Sequence, residues 1–223
     1  MPLELILFDV NETLLDLRAL RPLFAQHFGS PDITGQWFAQ LLRSAMVATI
    51  TSRYHDFGTL GRDALNMTAA RLDRELSDAA QDEILGAMRQ LPPYPDVANS
   101  LARLQENGLR LAALTNSPPW VARDQLDHAR LSPFFEQILT VHEVELFKPA
   151  REVYQYAAGQ LGLASGQICM VAAHDWDVAG AQAAGMQTAF VSRPGMVMGS
   201  LQQKPEFLGP DLNAVVDQIL RTR

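Results

Sequence analysis

Residues 5–8 are apolar without a break, and the stretch 3–8 reads as a buried strand. It stops at Asp9, and polar turn residues follow at once. From Asp16 the pattern takes a helical period. Leu17, Leu20, Leu23, Phe24 and Phe28 recur at three- and four-residue steps, and Gly29 is a natural stop. Trp37, Leu41, Leu42, Ala45 and Met46 continue that period, which predicts a helix over 33–51. Two more amphipathic helices are predicted over 60–72 and 77–88, with Ser77 as the N-cap of the second. Leu91-Pro92-Pro93-Tyr94-Pro95 closes this helical stretch, because the prolines lack donors and stiffen the chain.

Beyond Pro95 the chain alternates. Helices are predicted over 97–107, 121–129, 151–161, 178–184 and 212–220, with Gly108, Gly162 and Gly185 as stops. Strands are predicted over 109–114, 135–140, 168–172 and 188–191. Strands alternating with helices build a parallel sheet covered on both faces, and the N-terminal strand needs that same sheet to bury itself. The expected fold is therefore α/β, a doubly wound parallel-sheet core made of 1–14 and 93–223, with a helical cap domain of 15–92 inserted over the strand ends. In such sheets ligands bind at the carboxyl ends of the strands, so Asp9 belongs at the mouth of a site.

Composition narrows the function classes. Hydrophobic content of 48% and charged content of 19% suit a globular protein with a sizeable core. A net charge of −7 argues against a nucleic-acid partner, while a small anionic substrate needs only a local cation. Cys169 is the only cysteine, so no internal disulfide can form. No leader pattern and no membrane-length apolar run is present. A cytoplasmic protein without membrane partners is expected.

Three segments follow Asp9 in a telling order: Leu114-Thr115-Asn116-Ser117, Phe147-Lys148-Pro149 and Ala173-His174-Asp175-Trp176-Asp177. With the opening Phe8-Asp9-Val10-Asn11-Glu12-Thr13-Leu14, they resemble the haloacid dehalogenase (HAD) superfamily, and most closely its L-2-haloacid dehalogenase (type II) branch, over nearly the whole chain. The resemblance implies that Asp9 is a nucleophile oriented by Thr13. A carboxylate can form a covalent ester and split one hard displacement into two easier steps. Phosphatases of the superfamily carry a second Asp where this chain has Asn11, to protonate a leaving alcohol. An amide cannot do this, and a leaving halide does not need it; Asn also simply suits a turn. Thr115 and Asn116 would hold an anionic oxygen of the substrate, a phosphoryl oxygen as readily as a carboxylate. Lys148 would keep Asp9 ionised. Tyr154 matches a tyrosine of the branch, or is a half-buried helix aromatic. Magnesium-dependent members need an acid where Ala173 stands, so no metal and no cofactor is expected. Asp177 would position the hydrolytic water, and Trp176 would wall the pocket or pack in the core.

Two departures from the branch stand out. His174 replaces an Asn and Ala172 a Ser; the histidine can serve as a base for water or as a hydrogen-bonding group. Trp37 is followed by Phe38, where the branch has an arginine that binds the leaving halide. Arg43 is the candidate substitute, or a solvated helix residue. The resemblance thus implies metal-independent hydrolysis of a short (S)-2-haloacid to a 2-hydroxy acid and halide. Family members are often dimers, so a homodimer is expected. Two alternatives stay open: a HAD-type phosphatase or phosphotransferase acting on a small phosphoester, and a non-catalytic, small-anion-binding protein of the same fold.

Overall fold

The computed structural model describes residues 2–222. The apolar run at the N-terminus forms β1 (Leu5–Phe8), with every residue buried. Four helices come next, ahead of the alternating part: α1 (Arg21–Phe28), α2 (Ile33–Ile50), α3 (Phe57–Arg71) and α4 (Asp78–Ala87). The alternating part then runs α5 (Val97–Glu106), β2 (Arg110–Thr115), α6 (Pro119–His128), β3 (Gln137–Thr140), α7 (Arg151–Leu161), β4 (Ile168–Ala172), α8 (Asp175–Ala183), β5 (Gln187–Val191), β6 (Phe207–Gly209) and α9 (Leu212–Arg221).

The strands form one sheet in the order β3-β2-β1-β4-β5-β6, and every neighbouring pair is parallel. β1 is central, with Phe8 beside Ala113 of β2 and Val171 of β4. All of β1 and β4 is buried, as expected of parallel strands covered on both faces. After β3 the chain crosses back to the other side of β1. The strand order therefore reverses at the carboxyl end of β1, where a crevice opens in such sheets, and Asp9 follows β1 directly.

The segments leading into and out of α1–α4 run side by side. Leu15 and Pro93 form an antiparallel bridge, Asp16 N donates to Pro92 O at 2.8 Å, and Tyr94 N donates to Leu14 O at 2.9 Å. Several boundaries differ from expectation for local reasons. A 3₁₀ turn, Leu17–Leu20, precedes α1, with Asp16 as its N-cap. Asp56 caps α3 by accepting from the N–H groups of Gly58 and Thr59, so that helix starts three residues before the predicted 60. α6 starts at Pro119 and α8 at Asp175, both ahead of their apolar periods. β6 was not predicted. Ser77 does cap α4, accepting from Ala80 N. Among the described residues no helix is long and apolar enough to cross a membrane.

Candidate active site

The loops after β1, β2 and β4, and the segment between β3 and α7, converge on Asp9. Its backbone N–H is held by Val171 O of the adjacent strand at 3.0 Å, which anchors the residue at the strand end. Asp9 Oδ2 accepts from Thr13 Oγ1 at 2.7 Å. Thr13 Oγ1 in turn accepts from Ala173 N at 2.9 Å, so its single proton is aimed at Asp9. Asp9 Oδ1 accepts from Lys148 Nζ at 2.8 Å.

Lys148 is 1% exposed. Its ammonium also donates to Asp177 Oδ2 at 2.6 Å and to Leu114 O at 3.1 Å, so its three protons have three acceptors. Its backbone N donates to Asn116 Oδ1 at 3.1 Å, which ties the lysine segment to the end of β2. Asp177 is fully buried and accepts at Oδ1 from Tyr154 OH at 2.6 Å. The Lys148 ammonium thus lies between the two carboxylates. Among the described residues no group of three or more His, Cys, Asp or Glu side chains is arranged to hold a metal ion.

His174 lies on the other side of Asp9. Its Nδ1 is 3.3 Å from Asp9 Oδ2, in ion-pair range but off the line of a hydrogen bond, and its Nε2 is 2.9 Å from Glu12 Oε2. The ring stacks on Trp176, with centroids 4.8 Å apart. The Trp176 ring is also 5.9 Å from Lys148 Nζ.

This charge pattern sorts the ionisable groups. Burial alone would raise Asp9, but the Lys148 ammonium and the contact with His174 outweigh it and hold the carboxyl well below the usual range. Burial, joined by the charge of Asp9, pushes Asp177 up against the pull of Lys148. Burial would lower Lys148, yet its two carboxylate partners raise it. Burial would likewise lower His174, but Asp9 and Glu12 raise it to about 10. Burial and Asp177 push the Tyr154 phenol well above its normal value, so it stays a donor. A ring kept charged at neutral pH has no vacant lone pair, so this environment argues against His174 as the base for water.

Of the residues singled out by sequence, Asp9, Thr13, Lys148, Tyr154, His174, Trp176 and Asp177 come together directly. Asn11 is drawn to a neighbouring network: Nδ2 donates to Ser117 Oγ at 3.3 Å, and Oδ1 accepts from Gln125 Nε2 at 2.9 Å. Thr115 Oγ1 accepts from Ser117 N, and Asn116 Oδ1 accepts from the Lys148 backbone N–H; both side chains shape the turn after β2. Arg43 is not brought to this cluster. It donates to Gln40 within α2 and lines a hollow with Val47, His55, Asp63 and Arg71, apart from the Asp9 cluster. Phe38 packs edge-on against Phe57 at 6.5 Å, so that position is apolar.

Three polar partners go beyond the sequence pattern, Gln125 and Arg193 buried and Glu12 partly exposed. Gln125 links Asn11 to Met88 O. Arg193 donates from Nε to Thr13 O at 3.0 Å and pairs with Asp96. Glu12 reaches His174; it lies inside the opening motif, so its position was in view, but its partner was not.

The chain belongs to the haloacid dehalogenase-like hydrolases, whose family profile matches residues 3–185. It is similar to the (S)-2-haloacid dehalogenase of Pseudomonas sp. (strain YL), with 30% identity over 214 residues that cover 95% of this chain and 92% of that one. It is 26% identical to haloacetate dehalogenase H-2 of Moraxella sp. (strain B), across 97% of this chain and 98% of that one. In fold it matches the L-2-haloacid dehalogenase from Xanthobacter autotrophicus solved with chloropropionic acid covalently bound, with a TM-score of 0.92 at 24% identity over 99% of this chain and 100% of that chain.

Proposed function

We propose that the protein is a metal-independent 2-haloacid dehalogenase, which converts a short (S)-2-haloacid into a 2-hydroxy acid and halide through an ester on Asp9. The names of the relatives support the substrate class. The observation that carries the mechanism is the setting of Asp9: a buried carboxylate held ionised by Lys148, beside an amide, Asn11, in place of an acid.

In the first half, an Asp9 oxygen attacks the carbon bearing the halogen. The carbon–halogen bond breaks, its electron pair leaves with the halide, and the carbon inverts. Asp9 becomes a neutral ester. In the second half, water attacks the Asp9 carboxyl carbon and gives a proton to Asp177. Collapse expels the substrate oxygen, which takes that proton, and Asp9 is restored on ionising. A carboxylate raised by burial is a better proton acceptor than an ordinary one. The backbone N–H groups of the turn after β2 would bind the substrate carboxylate. With Phe38 in place of arginine, Lys148 and His174 are the cations available beside the departing halide. Residues 15–92 act as the cap, moving about the paired segments at Leu15 and Pro93, and closure excludes bulk water during displacement.

Halide release from the two 2-chloropropionate enantiomers, with and without EDTA, tests this reading. Release from the (S) form alone, unchanged by EDTA, is expected. Loss with EDTA and recovery with magnesium would overturn the mechanism.

A further inference from the structure

Glu12 stands out on two counts. It occupies the left-handed region, with φ of 63°, which a long side chain seldom adopts and which carries strain. It also spends its carboxylate on His174 Nε2 at 2.9 Å, inside the turn that carries Asp9 and Thr13. Strain of this kind persists where the surroundings require it. Here it directs a carboxylate at the one ring that faces the nucleophile.

The two oxygens of Asp9 are not equivalent. Oδ1 accepts a single bond, from Lys148. Oδ2 accepts from Thr13, whose proton is aimed by the Ala173 N–H, and lies 3.3 Å from His174 Nδ1. Oδ1 is thus the less encumbered oxygen and the one to form the ester, while Oδ2 becomes the ester carbonyl. Resting on the dehalogenase reading, we propose that Glu12 and His174 work as a pair in ester hydrolysis: Glu12 holds the His174 ring with Nδ1 toward Asp9 Oδ2, and Nδ1–H joins the Thr13 hydroxyl in taking up the negative charge that forms there.

Water oxygen bonds to the Asp9 carboxyl carbon, and the carbonyl π pair moves onto Oδ2. One water proton goes to Asp177. When the tetrahedral intermediate collapses, the pair on Oδ2 re-forms the carbonyl and the bond from the carboxyl carbon to Oδ1 breaks. Oδ1 departs with the product and takes the proton from Asp177. Donors aimed at a developing oxyanion in a dry site are worth more than in water.

Glu12 has a particular task in this scheme. In the free enzyme the charged groups facing the ring are Asp9 and Glu12, with Lys148 beyond Asp9 on its other oxygen. Once Asp9 is an ester its charge is gone, and Glu12 is the one carboxylate left against the ring. It is what keeps His174 protonated at the step that needs the proton. His174 is then a catalytic residue, and Glu12 a positioning residue acting through it.

The test is rapid-quench kinetics on the full chain with (S)-2-chloropropionate, resolving the halide burst from steady release across pH, in wild type, Glu12→Gln, Glu12→Asp and His174→Ala. Asp is tolerated at positive φ and Gln keeps the size of the side chain, so circular dichroism should match wild type in both. His174→Ala is expected to slow hydrolysis about 100-fold more than alkylation, leaving a burst near one halide per site. In Glu12→Gln, burial then lowers the ring below the ordinary imidazole value of about 6.5, so hydrolysis should already be failing as pH rises toward that value, while wild type holds to higher pH. Glu12→Asp should recover part of that alkaline range. Equal slowing of both halves in His174→Ala, or the same alkaline limb in Glu12→Gln as in wild type, would overturn the pair and leave the dehalogenase reading standing. Absence of any halide release by wild type would overturn that reading itself, and the pair with it.

Discussion

Lys148 Nζ and Asp177 Oδ2 lie 2.6 Å apart, with the two side chains 1% and 0% exposed. The same ammonium is 2.8 Å from Asp9, so one buried cation pairs with both carboxylates. Removing it leaves two buried anions facing each other. We predict that Lys148→Met abolishes turnover and lowers stability by about 3–5 kcal/mol, measured by urea unfolding. Lys148→Arg should not restore activity, because a planar guanidinium cannot reproduce three bonds from one nitrogen.

Tyr154 steadies the other oxygen of Asp177. Tyr154→Phe leaves that oxygen buried with one partner fewer. We predict a cost of about 1–3 kcal/mol and slower ester hydrolysis, with the Asp9 ester accumulating in mass spectra of the working enzyme. A mass spectrum free of ester, with steady halide release at the wild-type rate, would remove Tyr154 from the account.

Gly180 of α8 offers an indirect test of the same contact. A Cβ there would come within 2.7 Å of the Tyr154 ring and hydroxyl and of Pro149. Gly180→Ala must displace Tyr154 or the segment holding Lys148. Overpacking of this kind costs about 1–3 kcal/mol, and activity should fall with it. Unchanged activity and melting temperature would mean that the tyrosine has room to move without consequence.

The pH dependence of stability follows from the shifted groups. His174 is raised from 6.5 to about 10, so its ion pairs contribute stability that is complete below about pH 6.5 and lost as pH rises through about 10. Asp9 is lowered, so its contribution is complete above the ordinary value of 3.8 and is lost as pH falls below it. Urea midpoints should therefore decline toward about pH 10, and less steeply in His174→Gln than in wild type. An identical decline in the two proteins would exclude His174 as a source of it.

Much of this molecule was legible in its sequence because its signals are local. The apolar runs of β1 and β4 and the helical periods of α2 and α7 sit where the pattern put them. β6 escaped notice because it has three residues, and its middle one, Leu208, is half exposed, so no apolar run marks it. α8 escaped in part because its first turn, Asp175-Trp176-Asp177, is acidic and follows no apolar period; carboxylates suit a helix N-terminus for electrostatic reasons instead. In the site, the motif residues were visible one by one, but their pairings were not. Glu12 and His174 are 162 residues apart, Gln125 and Asn11 are 114 apart, and Arg193 and Thr13 are 180 apart. The strand order of the sheet brings such partners together, and spacing along the chain does not reveal it. The surroundings of Arg43 were hidden for a related reason: helical periodicity gives a residue's phase on α2 but not which hollow that face lines.

The central claim, that Asp9 itself is alkylated and then hydrolysed at its carboxyl carbon, is tested most directly by one turnover in heavy-oxygen water, with enzyme in excess over (S)-2-chloropropionate. Heavy oxygen is expected in the Asp9 carboxylate, located by peptide mass spectrometry, and none in the hydroxy acid from that turnover. Heavy oxygen in the product of the first turnover, with Asp9 unlabelled, would mean that water attacks the substrate directly and would contradict the account.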